Sequence, residues 1–470
     1  MAARVRLESM PELARLRPID VAESFRDVPG VALLESARPG RNARWSYLTA
    51  DPVAVLETPA AGADPFAGAR QLLARLDRGD LATPGAPPFL GGLVGYLAYD
   101  LGHALERLPT IAADDQGLPL LRLALHDWVI AWDRRTETAW LAGRALDGDA
   151  AGLDRRLREV RERVRRGTSE TAENAAPDTE SFAFTSSLDR PAYEAGVDAV
   201  RGFIARGDLY QANLTRRLET AFDGDPWPLY RRLRTGDPSL FSAYLDLGRA
   251  SEDALRPGRR AILSASPEPF LAVDRTGRVT TNPIKGTRPR GRTREEDRAL
   301  ACELLASAKD RAENVMIVDV LRNDLGRVCR PGTVRVPRLC RLERTAAVQH
   351  LVSTVTGTLA PGRDAFSLLA SSFPGGSITG APKIRAMELL EGLEPVRRGP
   401  YTGALGWIGP DGAMATSILI RTFVADGARL SIHVGGGITY RSDPAAEWDE
   451  TVAKARGPLS SIGGHEVSAA

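Results

Sequence analysis

Cysteine is scarce in this chain: Cys302, Cys329 and Cys340 are the three in 470 residues, an odd number with no C-x-x-C pair. That excludes a disulfide framework and fits free, mostly buried thiols in a reducing, cytoplasmic setting. Long apolar runs are also missing. No stretch approaches ~18 uninterrupted apolar residues, so no membrane span is expected. Residues 1–18 carry charges throughout and show no secretory signal. Neither sign of charge dominates, with 62 basic and 60 acidic residues and a net charge of +2. The basic cluster at residues 155–166 is interleaved with acidic residues. That balance argues against a nucleic-acid binder, which would gather a basic excess on one face.

What is present is an ordinary globular composition, 43% hydrophobic and 26% charged, with enough chain to bury a large core unaided. Residues 1–145 read as a mixed α and β unit. Strands are predicted at 31–36, 45–48 and 52–58, a helix at 65–76 behind Asp64 as N-cap, and paired strands at 121–130 and 137–143. Residues 146–182 comprise an Arg/Glu-rich helix (150–166) and a stretch from Gly167 to Glu180, poor in apolar residues, that reads as a flexible linker.

Residues 183–462 are denser in strands and glycine turns. A helix is predicted at 189–205, and strands at 261–263, 270–273, 278–281, 348–359 and 430–434. A hairpin turn is predicted at 274–277. Thr293 to Glu296 is a capping box opening a helix through Lys309, with a second helical segment at 311–328. Antiparallel pairs joined by hairpins, with helices alongside, predict an α+β fold.

Several residues carry chemistry whose meaning their own spacing leaves open. Glu447 and Glu450 follow Asp443-Pro444, an N-cap with a first-turn proline, and so share a helix face. Two carboxylates on one face repel unless a cation neutralises them. Asp310 and Glu313, one turn apart on another predicted helix, add hard oxygen donors that suit Mg²⁺. The alternative is a pair of solvated faces, with Glu450 and Lys454 as an exposed i,i+4 pair. Lys285 is a nucleophile only where burial or a cationic neighbour deprotonates it. Glu268, in Ser266-Pro-Glu-Pro-Phe270, is either a general acid–base or a carboxylate satisfying backbone donors. His350, in a predicted strand, is either a core histidine or a pocket residue. The turn Gly375-Gly-Ser-Ile-Thr-Gly-Ala-Pro382 leads into a helix start, where the N–H groups of Thr379, Gly380 and Ala381 suit an anion. Arg421 can grip a carboxylate and Tyr401 can hydrogen-bond it. Gly435, Gly436 and Gly437 allow close backbone approach to a ligand.

Taken in order, Gly207-Asp-Leu-Tyr-Gln-Ala-Asn-Leu-Thr215, the Glu268 turn, Pro283-Ile-Lys-Gly-Thr287, the segment 313–327, Val348-Gln-His-Leu-Val-Ser353, Pro374 to Lys383, Gly435 to Gly437 and Glu447-Trp-Asp-Glu-Thr451 resemble the chorismate-utilising enzymes. That family includes anthranilate, aminodeoxychorismate, isochorismate and salicylate synthases. The resemblance implies antiparallel sheets in a sandwich-like core with helices outside. It implies chorismate held through Mg²⁺, with Glu313 and Glu450 as ligands supported by Asp310 and Glu447. It makes Lys285 the nucleophile of an amine-installing member, Glu268 its acid–base and His350 a neighbour of the ring hydroxyl. Gln211, Thr287, Thr379, Gly380, Ala381, Tyr401, Arg421, Gly435, Gly436, Gly437 and Lys454 become substrate contacts. Gln211 stands where water-adding relatives carry a lysine, and so points to ammonia rather than water as nucleophile. The chain shows no Gly-x-Cys-x-Gly turn around any cysteine, so a separate glutamine amidotransferase is implied as ammonia source. Glu35, Ser36, Arg44 and Ser46 resemble the region that binds tryptophan in relatives.

Overall fold

The computed structural model describes residues 4–38, 44–59, 64–79, 85–169, 181–250, 258–345 and 348–467. The expected linker falls largely at 170–180, outside the described residues. Two sheets of thirteen and ten strands organise the chain among those residues, with α-helices packed on their outer faces. Pairing is antiparallel almost throughout; Phe182–Ser186 and Gly464–Glu466 pair in parallel at one edge. The α+β expectation is met.

Both sheets draw strands from both long stretches of sequence. In the larger, Ala32–Glu35 pairs with Phe241–Ala250. In the smaller, Gly92–Leu97 pairs with Ala404–Ile408. The sheets face each other across one cluster, where Tyr47, Leu245 and Ile262 of the larger meet Val94, Tyr96, Leu405 and Trp407 of the smaller. Phe89 stacks on Trp407 with ring centroids 5.0 Å apart. A second cluster packs the larger sheet against the helices Ala150–Ser169, Pro226–Gly236 and Pro444–Ser461; a third packs the smaller against Ala308–Gly326 and Ala365–Ser372. Cys329 and Cys340 are buried and Cys302 is exposed, all three free.

Several expected elements differ in extent, three of them instructively. The single strand expected at 121–130 is two strands, Leu121–His126 in the smaller sheet and Trp128–Asp133 in the larger. The chain crosses between layers at Asp127, whose carbonyl accepts from Arg144 N at 2.8 Å. Both halves are apolar and β-prone, so periodicity cannot mark a corner buried on both sides. The helix expected through Lys309 ends at Ala306, because Ser307 leaves helical geometry and its Oγ accepts from Asp310 N at 3.2 Å, capping a new helix. The helix expected at 65–76 is shorter, Ala67–Leu73.

Candidate active site

Four strands and two helix starts enclose a cavity of about 610 Å³. Its floor is the pair Gln211–Ala221 and Arg429–Ile438, in which Gly435, Gly436 and Gly437 lie opposite Thr215, Leu214 and Asn213. Side chains there would block it. A Cβ at Gly437 would fall 2.3 Å from Gln211 Nε2 and 3.8 Å from Lys285 Nζ, and one at Gly436 would fall 2.9 Å from Glu447 Oε2. The absence of Cβ atoms thus lets the amine and the acids approach the strand.

Lys285 enters from Ile284–Pro289, which pairs with Val348–Thr358 through an irregularity between Lys285 and Thr287. Gly286 forms it at φ +79°, and a Cβ there would meet Asp310 Cβ at 2.9 Å. A bulge of this kind re-aims the neighbouring side chain. Lys285 Nζ donates to the Ser377 carbonyl at 3.2 Å. Burial depresses its pKa, with Glu313 and Glu268 opposing. Glu268 is buried, and its Oε1 accepts from Ser377 Oγ at 3.1 Å. Burial pushes its carboxyl up to about 7, against the pull of Lys285 and Ser377. An amine inclined to lose its proton therefore lies near a carboxyl inclined to keep one.

The acids come from the two helix starts. Asp443 Oδ1 accepts from Ala446 N at 2.9 Å, which sets Glu447 and Glu450 one turn apart on the cavity side. Lys454 Nζ bridges Glu450 Oε1 at 2.7 Å and the Gly435 carbonyl at 2.8 Å. Burial raises Glu447 and Glu313. Burial also opposes ionisation of Glu450, but Lys454, with Lys309 and Lys285, holds that carboxyl low. Asp310 faces Arg288 Nη2 at 3.3 Å. Glu313 Oε1 is buried without a hydrogen-bond partner; Lys309 Nζ lies 3.9 Å from it. Among the described residues no three His, Cys, Asp or Glu side chains converge as a ready-made cage. Hard oxygens with one orphaned atom still fit a cation that keeps water and substrate oxygens in its shell.

At the other side, Thr287 Oγ1 lies 2.9 Å from His350 Nδ1. Burial, with Arg421 and Arg38, drives the His350 pKa down to about 4, so its imidazole is neutral. Arg421 lines the cavity and reaches Asp237 Oδ1 at 3.3 Å. Tyr401 stacks on His433 with centroids 5.0 Å apart.

The cavity wall thus gathers Lys285, Glu268, His350, Thr287, Tyr401, Arg421, Gly435, Gly437, Lys454, Glu313, Glu450, Glu447 and Asp310. Gly436 and Gln211 sit just behind it. Thr379, Gly380 and Ala381 do not line it. The Thr379 carbonyl accepts from Asn213 N at 2.8 Å, and Gly380–Ala381 pairs with Ala212 and Gln211. Among the residues of the wall that the sequence reading gave no role are Ser377 and His433. Ser377 sits inside a motif read only for its backbone, and His433 belongs to no motif. The buried Nε2 of His433 has no hydrogen-bond partner.

Apart from this cavity, Glu35 and Ser36 line a pocket of about 180 Å³ with Trp45, Tyr47, Phe241 and Trp407. Arg44 is drawn to Asp133 at 2.7 Å, and Ser46 Oγ accepts from Ser36 N at 3.2 Å. Glu35 Oε1 already accepts from Tyr230 Oη at 2.9 Å and Arg234 Nε at 2.6 Å.

A two-sheet α+β body thus surrounds an acid- and lysine-lined cavity. The chain belongs to the chorismate-binding enzyme family, whose profile matches residues 31–460. It is 41% identical over 451 residues to anthranilate synthase component 1 of Streptomyces coelicolor, covering 93% of this chain and 84% of that protein. It is equally 41% identical over 367 residues to aminodeoxychorismate synthase component 1 of Salmonella typhimurium, covering 78% and 76%. Anthranilate synthase component I from Streptococcus pneumoniae superposes with a TM-score of 0.77 at 30% identity, covering 89% of this chain and 93% of that one. The menaquinone-specific isochorismate synthase of Escherichia coli shares the fold, with a TM-score of 0.73 at 17% identity over 98% and 94%. No helix among the described residues is long and apolar enough to cross a membrane.

Proposed function

We propose that this chain is the chorismate-binding component of an aminodeoxychorismate synthase, converting chorismate and ammonia to 4-amino-4-deoxychorismate with Mg²⁺. The observation that carries the reading is Lys285 Nζ in the wall of the cavity, its pKa depressed, with Glu268 joined to it through Ser377. Neutral Lys285 adds to the ring diene, while the hydroxyl takes the proton of Glu268 and leaves as water. Ammonia then attacks the carbon that bore the hydroxyl. The bond to Lys285 breaks, the diene is restored, and the Glu268 carboxylate takes the extra proton from the new amine. Glu313 and Glu450 would hold the cation, with Asp310 and Glu447 beside them. Bound there, Mg²⁺ would supply a Lewis acid on the ring carboxylate. Tyr401 and Arg421 are assigned to the second carboxylate, and His350 with Thr287 to the ring hydroxyl.

Neutral ammonia is scarce at pH 7, so a glutamine amidotransferase subunit is the proposed source. The "component 1" names of the relatives support a partner. The pocket beside Glu35 and Ser36 is the proposed seat of a tryptophan-like ligand. The second reading, anthranilate synthase component I, is favoured by the longer alignment with the Streptomyces relative. Intact-protein mass spectrometry with chorismate and Mg²⁺ but no ammonia tests the covalent step. An adduct on Lys285, lost in Lys285→Ala together with most turnover, is expected. No adduct, with unchanged turnover in the variant, removes Lys285 from the chemistry.

A further inference from the structure

Ser377 touches both proposed reacting groups. It sits in the tight turn Gly376–Ile378, buried, where its side chain and main chain face different partners. Its Oγ donates to Glu268 Oε1 at 3.1 Å and its carbonyl accepts from Lys285 Nζ at 3.2 Å. The turn is tied down from several directions. Thr379 Oγ1 donates to the Gly375 carbonyl at 3.0 Å. Arg398 Nη1 donates to the Ile378 carbonyl at 3.0 Å, and Arg398 is itself pinned by Glu394 at 2.7 Å. Lys383, just beyond the turn, binds Asp324 at 2.8 Å and the Ser372 carbonyl at 2.7 Å. Asp324 belongs to the helix that carries Asp310 and Glu313.

We infer that Ser377 is a positioning residue that sets where the Glu268 proton sits and where the Lys285 lone pair points. A hydroxyl donating to Oε1 favours Oε2 as the oxygen that carries the proton, with the Ile284 backbone N–H and Lys285 the other groups facing the carboxyl. The carbonyl of the same residue takes one N–H of Lys285 and thereby fixes the rotation of the amine. Because one residue does both, acid and nucleophile are held in a single relative geometry before substrate arrives, which is the condition for preorganised catalysis. The inference rests on Glu268 and Lys285 being the reacting pair.

The test is the pH profile of Ser377→Ala, with Ser377→Thr as the conservative variant, in the presence of chorismate, Mg²⁺ and ammonium. Loss of the donor removes an interaction that favours ionised Glu268. The alkaline limb, where Glu268 loses its proton, should therefore move to higher pH. kcat should fall about 10-fold, the equivalent of one lost hydrogen bond, with KM for chorismate within about two-fold. The Thr variant should restore both. In a Glu268→Gln background the Ser377→Ala change should cost nothing further, since the hydroxyl then orients no proton. An unmoved alkaline limb, or an equal loss in the Gln background, overturns the inference. Thermal unfolding of each variant separates a folding defect from a kinetic one. If the unaltered protein makes anthranilate, the reading of Lys285 fails, whereas the Ser377–Glu268 coupling is still decided by the same cycle.

Discussion

Glu268→Gln should make the protein more stable above neutral pH while it abolishes most activity. The glutamine keeps the shape of the side chain and can still accept from Ser377 Oγ. It removes a carboxyl that burial has shifted from 4.5 to about 7. A folded-state pKa raised above the unfolded value means that the native state binds more protons between those two pH values. Stability from this group is therefore complete below pH ~4.5 and is lost as pH rises through ~7. At ~1.4 kcal/mol per pK unit the loss amounts to ~3 kcal/mol above pH 7. With an unfolding entropy of ~2.1 cal/mol/K per residue, ~3 kcal/mol in a chain of this length moves the thermal midpoint by ~3 °C. Differential scanning calorimetry of both proteins at pH 4.5, 6 and 8 measures it. The gap in midpoint should open with pH in favour of the variant. A gap independent of pH, or a variant less stable than its parent at pH 8, would refute the claim that Glu268 is held protonated by its surroundings.

Arg398→Met leaves the buried Glu394 carboxylate without its cation, and should cost about 3–5 kcal/mol by thermal unfolding. Adding Glu394→Gln should recover part of that loss. Gly437→Ala puts a methyl 2.3 Å from Gln211 Nε2 and 3.8 Å from Lys285 Nζ; the protein should fold, and kcat should drop about 100-fold as the methyl crowds the amide and the amine. Glu450→Gln should raise the Mg²⁺ concentration for half-maximal activity by at least about 10-fold, the size seen even for residues one shell further out. No change in Mg²⁺ dependence would remove Glu450 from the cation site.

Much of the site can be read in the linear sequence because its residues sit on signals with a local cause. Asp443-Pro444 fixes the phase of Glu447 and Glu450. What escapes the sequence depends on contacts between distant segments. The corner at Asp127 separates two equally apolar strands, and only the pairing of each with a different sheet reveals it. The glycine turn before Lys383 reads as an anion cradle, but Gly380 and Ala381 pair with the Gln211 strand, and the Thr379 and Ala381 carbonyls accept from Asn213 N and Tyr210 N. Ser377 acts through a carboxylate 109 positions away in sequence, which no local pattern encodes. His433 sits opposite Arg217 in the strand register, in a stretch where alternation predicts only burial.

The measurement that bears most directly on the account is the product formed by the purified chain from chorismate, Mg²⁺ and an ammonium salt at pH 8 to 9, identified by mass and absorbance. Accumulation of 4-amino-4-deoxychorismate, without release of pyruvate, is expected. Anthranilate with stoichiometric pyruvate, or isochorismate formed without any need for ammonium, would contradict it.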